Sequence, residues 1–299
     1  MTGKNLIKET SADMVFLVII HAILILVLLV TLYPLYFVLI ASFSDPQAIN
    51  RGEVILLPKG VSLEGYKYLL LDSSIPRGYF NTIIITVTGT AIGVLLTLTS
   101  AFALANRRLI GRRFITGFFA FTMFFNGGMI PTYILIKDLG LLNTLWALIL
   151  PGCVGAWNIF LVRTFFISNI PEELYEAATI DGASVTFYFY RIVLPLSSAI
   201  ISVMILYHAV GFWNLFFPAL LYLRDAVLYP LQMVLRNIIL INEAMSLSEL
   251  DAETVAFRQR VVDMLKYSSM IVASVPLLAA YPFLQKYFAR GIMVGSIKG

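Results

Sequence analysis

Apolar residues in this chain gather into six runs free of Asp, Glu, Lys and Arg, approximately at 14–42, 80–105, 114–136, 142–162, 196–223 and 267–284. A helix rises about 1.5 Å per residue, so about 20 residues cross the roughly 30 Å hydrocarbon core of a bilayer. Each run is therefore predicted to be a transmembrane helix, and the chain an all-α integral membrane protein of six spans. The first run is longer than the apolar region of a signal peptide, roughly 7–15 residues, and no small-residue cleavage site closes it. It is expected to be an uncleaved first span.

Short loops rich in Lys and Arg favour the cytoplasmic side. Arg107, Arg108, Arg112 and Arg113 crowd the loop after the second run, where Gly111 makes the turn, and Lys4 and Lys8 precede the first run. Both ends of the first hairpin are therefore placed in the cytoplasm, and six spans return Lys286, Arg290 and Lys298 to the same side. The Arg cluster reads first as a topology anchor, with a specific lipid site as the alternative. The predicted organisation is a cytoplasmic segment 1–13, one membrane domain 14–290 and a cytoplasmic tail 291–299. Connections 43–79 and 224–266 face outward, with turn signals at Asp45-Pro46 and Pro58-Lys59-Gly60, and 163–195 faces the cytoplasm.

Composition agrees with a lipid environment: 60% of the 299 residues are hydrophobic and 13% charged, against about 25% charged in soluble domains. A net charge of +4, set mostly at span ends, gives no support to nucleic-acid binding. Cys153 is the one cysteine, which excludes an intrachain disulfide and a Cys-based metal cluster.

Carriers driven by protons or sodium usually place an ionisable group inside the bilayer. The runs hold only His21 and His208, each more simply a hydrogen-bonded packing residue. A phosphate-binding G-x-x-x-x-G-K-[ST] loop is missing, and Gly291 and Gly295 have the wrong spacing for one. No serine-histidine-acid set, paired intramembrane aspartates or H-E-x-x-H is found. These gaps weigh against a self-sufficient secondary carrier and a polytopic membrane enzyme, the two alternatives to a non-catalytic transport subunit powered from another chain.

The stretch from Ser168 to Pro195 differs sharply from its flanks. Ser168 or Asn169 can cap a helix, Pro171 suits a first turn, and Glu172 and Glu173 sit where the helix dipole favours acids. That helix is predicted to reach about Thr179 and to be broken by Asp181-Gly182. Asp181 or Ser184 then caps a second helix ending before Pro195. Small Ala177 and Ala178 beside Glu176 allow the close approach of another protein, with Glu176 and Asp181 at the edge of the contact. An amphipathic loop on the membrane surface explains the spacing equally well.

The pattern E-A-A-x-x-D-G-A over 176–183, followed by Phe187, Ile192 and Leu194-Pro195, resembles the EAA loop of bacterial ABC-importer permeases. Six spans, the position of this loop and the tail from Lys286 to Gly299 resemble the carbohydrate-uptake permeases related to the maltose permease. Asn126-Gly-Gly-Met-Ile-Pro-Thr-Tyr133 is similar to the branch that takes up oligosaccharides, including pectin-derived and alginate-type uronates. Ser197-Ser198-Ala199 departs from the family, which often has proline there, and leaves the start of span five open. The resemblance implies a bacterial cytoplasmic (inner) membrane protein that forms half of a sugar pathway with a second permease chain. It also implies two ATPase subunits and an extracytoplasmic solute-binding protein as partners, the latter contacting the outer loop 224–266. ATP and Mg would be bound by the ATPase and no cofactor by this chain. Glu173, Glu176, Ala177, Ala178, Asp181, Gly182, Phe187 and Pro195 would couple to the ATPase through a helix within 171–194. The tail residues Gly291, Gly295, Lys298 and Gly299 would touch the ATPase as well.

A sugar path needs hydrogen-bonding groups and aromatic faces. Tyr207, Gly211 and Asn214 share a helical face by their spacing, with Trp213 beside them. Trp157, Asn158 and Asn126 are further candidates. Helix packing, a kink at Gly127-Gly128-Pro131 and an interfacial belt for Trp account for the same residues.

Overall fold

The computed structural model describes residues 11–246 and 252–295, and all regular structure among them is helical. In chain order the helices are α1 Ser11–Ala41, α2 Pro46–Asn50, α3 Glu64–Leu71, α4 Ser74–Ala105, α5 Arg112–Phe124 and α6 Met129–Asp138. There follow α7 Trp146–Ile149, α8 Ala156–Asn169, α9 Glu172–Ile180, α10 Val185–Tyr188 and α11 Leu194–Leu196, the last two joined by a π-turn at Phe189–Val193. The chain ends with α12 Ser198–Trp213, α13 Phe217–Tyr222, α14 Leu231–Ser246 and α15 Ala252–Gly295.

Contacts divide the chain into two compact units, one of residues up to Leu71 with Ile241–Val272, the other of Asp72–Leu240 with the residues from Ala273. In the first, α1 exposes apolar side chains along nearly its whole length, a surface tenable against lipid or protein but not water. The turns after it are tied by Tyr66 Oη donating to Ser42 Oγ at 2.7 Å and by the Asp45 N–H donating to Lys59 O at 2.9 Å. Arg260 of α15 pairs with Asp45 at 3.3 Å.

The second unit is organised on α4, which at about 1.5 Å per residue is long enough to cross a bilayer with a turn or two to spare. Gly89 and Gly93 let α12 lie against it: a Cβ on Gly89 would sit 2.7 Å from the Phe212 ring, and one on Gly93 2.8 Å from the His208 ring. This small-xxx-small spacing is how helices gain packing contact in lipid, where burying apolar surface brings no advantage. His208 Nε2 lies 3.4 Å from Thr97 Oγ1 in that seam. It is thus placed among hydrogen-bonded packing residues. Another core joins Leu98 and Leu104 of α4 to Ile159 and Phe166 of α8, Ala178 of α9 and Met204 of α12.

Among the described residues three helices are long and apolar enough to cross a membrane, within Asp13–Ala41, Ser74–Ala105 and Glu253–Ala279; each of three bent helix pairs adds one span if counted as a unit, giving up to six. The third predicted run is not one straight helix. Asn126 Oδ1 accepts the Gly128 N–H at 2.8 Å, Gly128 has φ +86°, and α5 and α6 meet at 116°. The fourth bends by 45° around Pro151 and Gly155, and α8 runs past the predicted end at 162 to Asn169. It can do so because Arg163 donates from Nε to Leu104 O at 3.0 Å, giving a late carbonyl of α4 a partner. The fifth is shortened to α12, which meets the segment Val185–Leu196 at 83° and stops at Asn214, before Pro218 opens α13. The connection 224–266, predicted to face outward, is mostly helix, α14 and the start of α15, with 247–251 outside the described residues. The predicted tail is helical through Gly295, so Gly291 and Gly295 belong to α15, while Lys298 and Gly299 lie outside the described residues.

Candidate coupling surface and translocation face

Connections predicted to face the same side meet at the same end of α4. Near its N-terminal end, Asn81 Nδ2 donates to Val227 O at 2.8 Å and Tyr229 O at 3.1 Å, and Thr82 Oγ1 accepts the Leu231 N–H at 2.8 Å. Near its C-terminal end, Arg107 pairs with Glu172 at 3.5 Å and the Arg108 guanidinium stands 5.2 Å from the centre of the Tyr175 ring.

Helix α9 starts at Pro171, not at a Ser168 or Asn169 cap, because α8 continues through both and Asn169 Nδ2 donates back to Phe165 O at 3.0 Å. The helix stops where the sequence indicates. Gly182 takes φ +73°, its N–H donates to Thr179 O at 3.1 Å, and the Ala183 N–H donates to Ala178 O at 2.9 Å. This is the glycine C-cap that gives orphan helix carbonyls their partners, with Asp181 as the capping residue. Ser184 then caps α10, its Oγ accepting the Phe187 N–H at 3.2 Å.

The two faces of α9 are unlike. Tyr175 and Ala178, three apart, point into the unit: Ala178 is buried and the Tyr175 ring meets Tyr188 edge-on at 5.2 Å. Glu173, Glu176, Ala177 and Ile180 form the opposite stripe, all exposed, Ile180 to 86%. Asp181, Phe187 and Pro195 are exposed as well. Residues of the E-A-A pattern thus divide between an exposed face and an inward-packing one.

On the proposed path, Tyr207, Gly211 and Asn214 lie along an exposed face of α12. Trp213 turns the other way: it is buried, donates from Nε1 to Ala273 O at 2.9 Å and packs near Tyr79, which makes it a packing residue here. Asn126 and Trp157 are exposed and Asn158 half-buried. Among the described residues no hydrogen bond or ring contact joins these three to the α12 face. Two groups that the sequence reading missed do meet it. Gln232 Nε2 donates to Asn214 Oδ1 at 3.4 Å, and Arg236, one turn on along α14, stands over the Phe216 ring at 5.8 Å. The i, i+4 spacing of Gln232 and Arg236 within the apolar first turns of α14 was the available signal.

No family model matches the chain. Protein LplC of Bacillus subtilis (strain 168) is 40% identical to it over 270 residues, 90% of each chain. The polygalacturonan/rhamnogalacturonan transport system permease protein YtcP of the same organism is 38% identical over 286 residues, 95% of this chain and 98% of its own. A solved bacterial ABC transporter involved in the import of the acidic polysaccharide alginate superposes with a TM-score of 0.80 at 30% identity, covering 93% of this chain and 98% of that one. With the coverage end to end and the helical architecture in common, the chain belongs to the permease family of bacterial ABC importers for sugars and oligosaccharides.

Proposed function

We propose that this chain is one of two permease subunits in the cytoplasmic (inner) membrane of a bacterium, six-spanning with both termini inside, and that α9 is the helix through which an ATPase subunit drives it. The observation that carries this reading is the exposed stripe Glu173-Glu176-Ala177-Ile180, joined by Phe187 at 53% exposure. Apolar side chains this exposed, rimmed by acids and lying beyond the ends of α4 and α8, mark a protein contact. Two copies of the ATPase would hydrolyse ATP with Mg, and closure of that pair would move α9 together with the helices it packs on, a rigid-body transition. An extracytoplasmic binding protein would deliver the cargo at the opposite end, near 224–240.

The cargo fits an acidic oligosaccharide. Two similar proteins bear names that specify pectic polysaccharides or alginate. Here Arg236 offers a cation, and Asn214, Gln232 and Tyr207 offer hydrogen bonds, along the exposed α12 face. A guanidinium is the side chain best matched to a uronate carboxylate.

The test is Ile180→Asp in the assembled importer. It should leave the permease in the membrane yet weaken retention of the ATPase subunits at least about tenfold, as expected for an anchor at the centre of an interface. Undiminished copurification and uptake would refute the docking surface.

A further inference from the structure

On the inward side of α9, away from the docking stripe, lies a cavity of about 350 Å3, at the small end of the roughly 300–1,000 Å3 of ligand pockets. Its wall is apolar where Phe102, Phe166 and Val193 line it, and polar where Asn106, Arg108 and Ser168 do. Asn106 Oδ1 accepts the Arg108 N–H at 2.8 Å, which fixes the turn and leaves the Asn106 amide NH2 to donate elsewhere. Glu172 answers Arg107, but among the described residues Arg108, Arg112 and Arg113 form no ion pair. Of these, Arg107, Arg108 and Glu172 line the cavity, so its rim keeps an excess of positive charge carried by Arg108, and it stands where α4 and α8 end.

We propose that this cavity holds the phosphodiester headgroup of an anionic phospholipid. The phosphate is received by the Arg108 guanidinium with the Asn106 amide and the Ser168 hydroxyl, and the glycerol–acyl junction lies against Phe102 and Phe166. An apolar wall beside a cationic rim is the lining that a lipid presents a use for, and basic pockets at the cytoplasmic ends of membrane helices bind such headgroups. A guanidinium gives a phosphate charge-assisted, often bidentate bonds. An ATPase side chain is the weaker occupant, since the Glu173–Ile180 stripe faces the other way. The occupied site would touch α4, α8 and α9 together and so bear on how firmly the docking helix is seated. The proposal rests on the reading that this end of α4 lies at the cytoplasmic headgroups, but not on the docking of α9.

The test uses the intact importer in phosphatidylcholine nanodiscs with and without phosphatidylglycerol, the lipid retained after extraction being counted by native mass spectrometry. Phosphatidylglycerol should be retained, and Arg108→Gln should lower its affinity about tenfold. Arg108→Lys should restore part of it, and Arg112→Gln with Arg113→Gln, outside the cavity lining, should cost far less. Arg108 is exposed, so these changes leave no buried hole. Equal loss in the Arg112/Arg113 variant would reduce the effect to diffuse attraction and overturn the site, as would unchanged retention in Arg108→Gln. Displacement of the lipid by soluble glycerophosphoglycerol at equal concentration would assign the cavity to a soluble phosphodiester and overturn the lipid, and crosslinking of a Ser168→Cys variant to the ATPase instead of lipid would assign it to protein. Retention that survives Ile180→Asp would separate this site from the docking reading.

Discussion

At its N-terminal end α4 is tied by neutral hydrogen bonds: the buried Asn81 side chain donates to the part-buried carbonyls of Val227 and Tyr229, and the Leu231 N–H donates to Thr82 in a buried bond. Beyond its C-terminal end, α9 is reached through an exposed ion pair, Arg107 with Glu172, and through Arg108 above Tyr175. The two kinds of tie differ in what they cost to break. A polar group stripped of its partner costs about 1–3 kcal/mol where it is buried and less where water reaches it, whereas an exposed ion pair is worth about 0–1 kcal/mol and both partners return to water. The N-terminal end of α4 is thus built as a fixed joint. At the other end the apolar core around Ala178 and the Tyr175–Tyr188 ring contact hold α9, while its polar contacts can be exchanged without much loss. This is the arrangement that a helix driven from outside the subunit requires.

The largest effect is expected at the fixed joint. Asn81→Leu removes the donor from two part-buried carbonyls at once and should destabilise the importer by about 2 kcal/mol. Thermal unfolding of the purified complex, followed by protease sensitivity of the 224–240 connection, measures this. Melting identical to the parent protein would mean that the N-terminal end of α4 is no firmer than the C-terminal one, and the contrast would collapse.

A smaller effect belongs to the turn after α9. At Gly182 a Cβ would meet nothing within 4 Å, so a substitution there acts through the backbone alone. Gly182→Val must place a β-branched residue at φ +73°, which costs about 1–2 kcal/mol, whereas Asn enters this region far more readily. Gly182→Val should insert normally but transport poorly for the ATP consumed, and Gly182→Asn should recover most of the coupling. Equal transport by the two variants would show that the glycine C-cap does not matter to the motion.

This turn was also the part of the site most legible in the sequence. Asp181-Gly182 and Ser184 are local signals, read by the chain within three or four residues, and each does in the structure what its chemistry dictates. The spans were legible as apolar runs, but their breaks were not. Asn126-Gly127-Gly128 and Pro131 allow either a kinked span or two helices at 116°, and what surrounds them decides. Uniformly apolar helices also carry no periodicity that separates a packed face from a lipid face. Hence Trp213 was placed on the path although it is buried, and Gly89 and Gly93 went unremarked although they set the α4–α12 approach. The meeting of Arg236 and Gln232 with the end of α12 depends on how the outer connection folds back, a long-range fact that neither residue signals alone.

The smallest effect is expected from Arg107→Gln. The pair with Glu172 is 3.5 Å long and both side chains are more than half exposed, 73% and 54%. Water already solvates each charge, so its removal should change stability by no more than about 1 kcal/mol. What remains of the effect should fade as salt is raised, since screening at about 0.15 M already acts over roughly 8 Å. The measurement is the difference in melting between Arg107→Gln and the parent complex at low and high salt, set beside the same difference for Asn81→Leu. The Asn81 difference should persist at both, because a hydrogen bond between neutral groups is hardly screened, and the Arg107 difference should be slight at low salt and vanish at high salt. If Arg107→Gln instead destabilises the complex as much as Asn81→Leu and does so at every salt concentration, α9 is locked to α4 as firmly as the outer connection is, and it cannot be the movable joint.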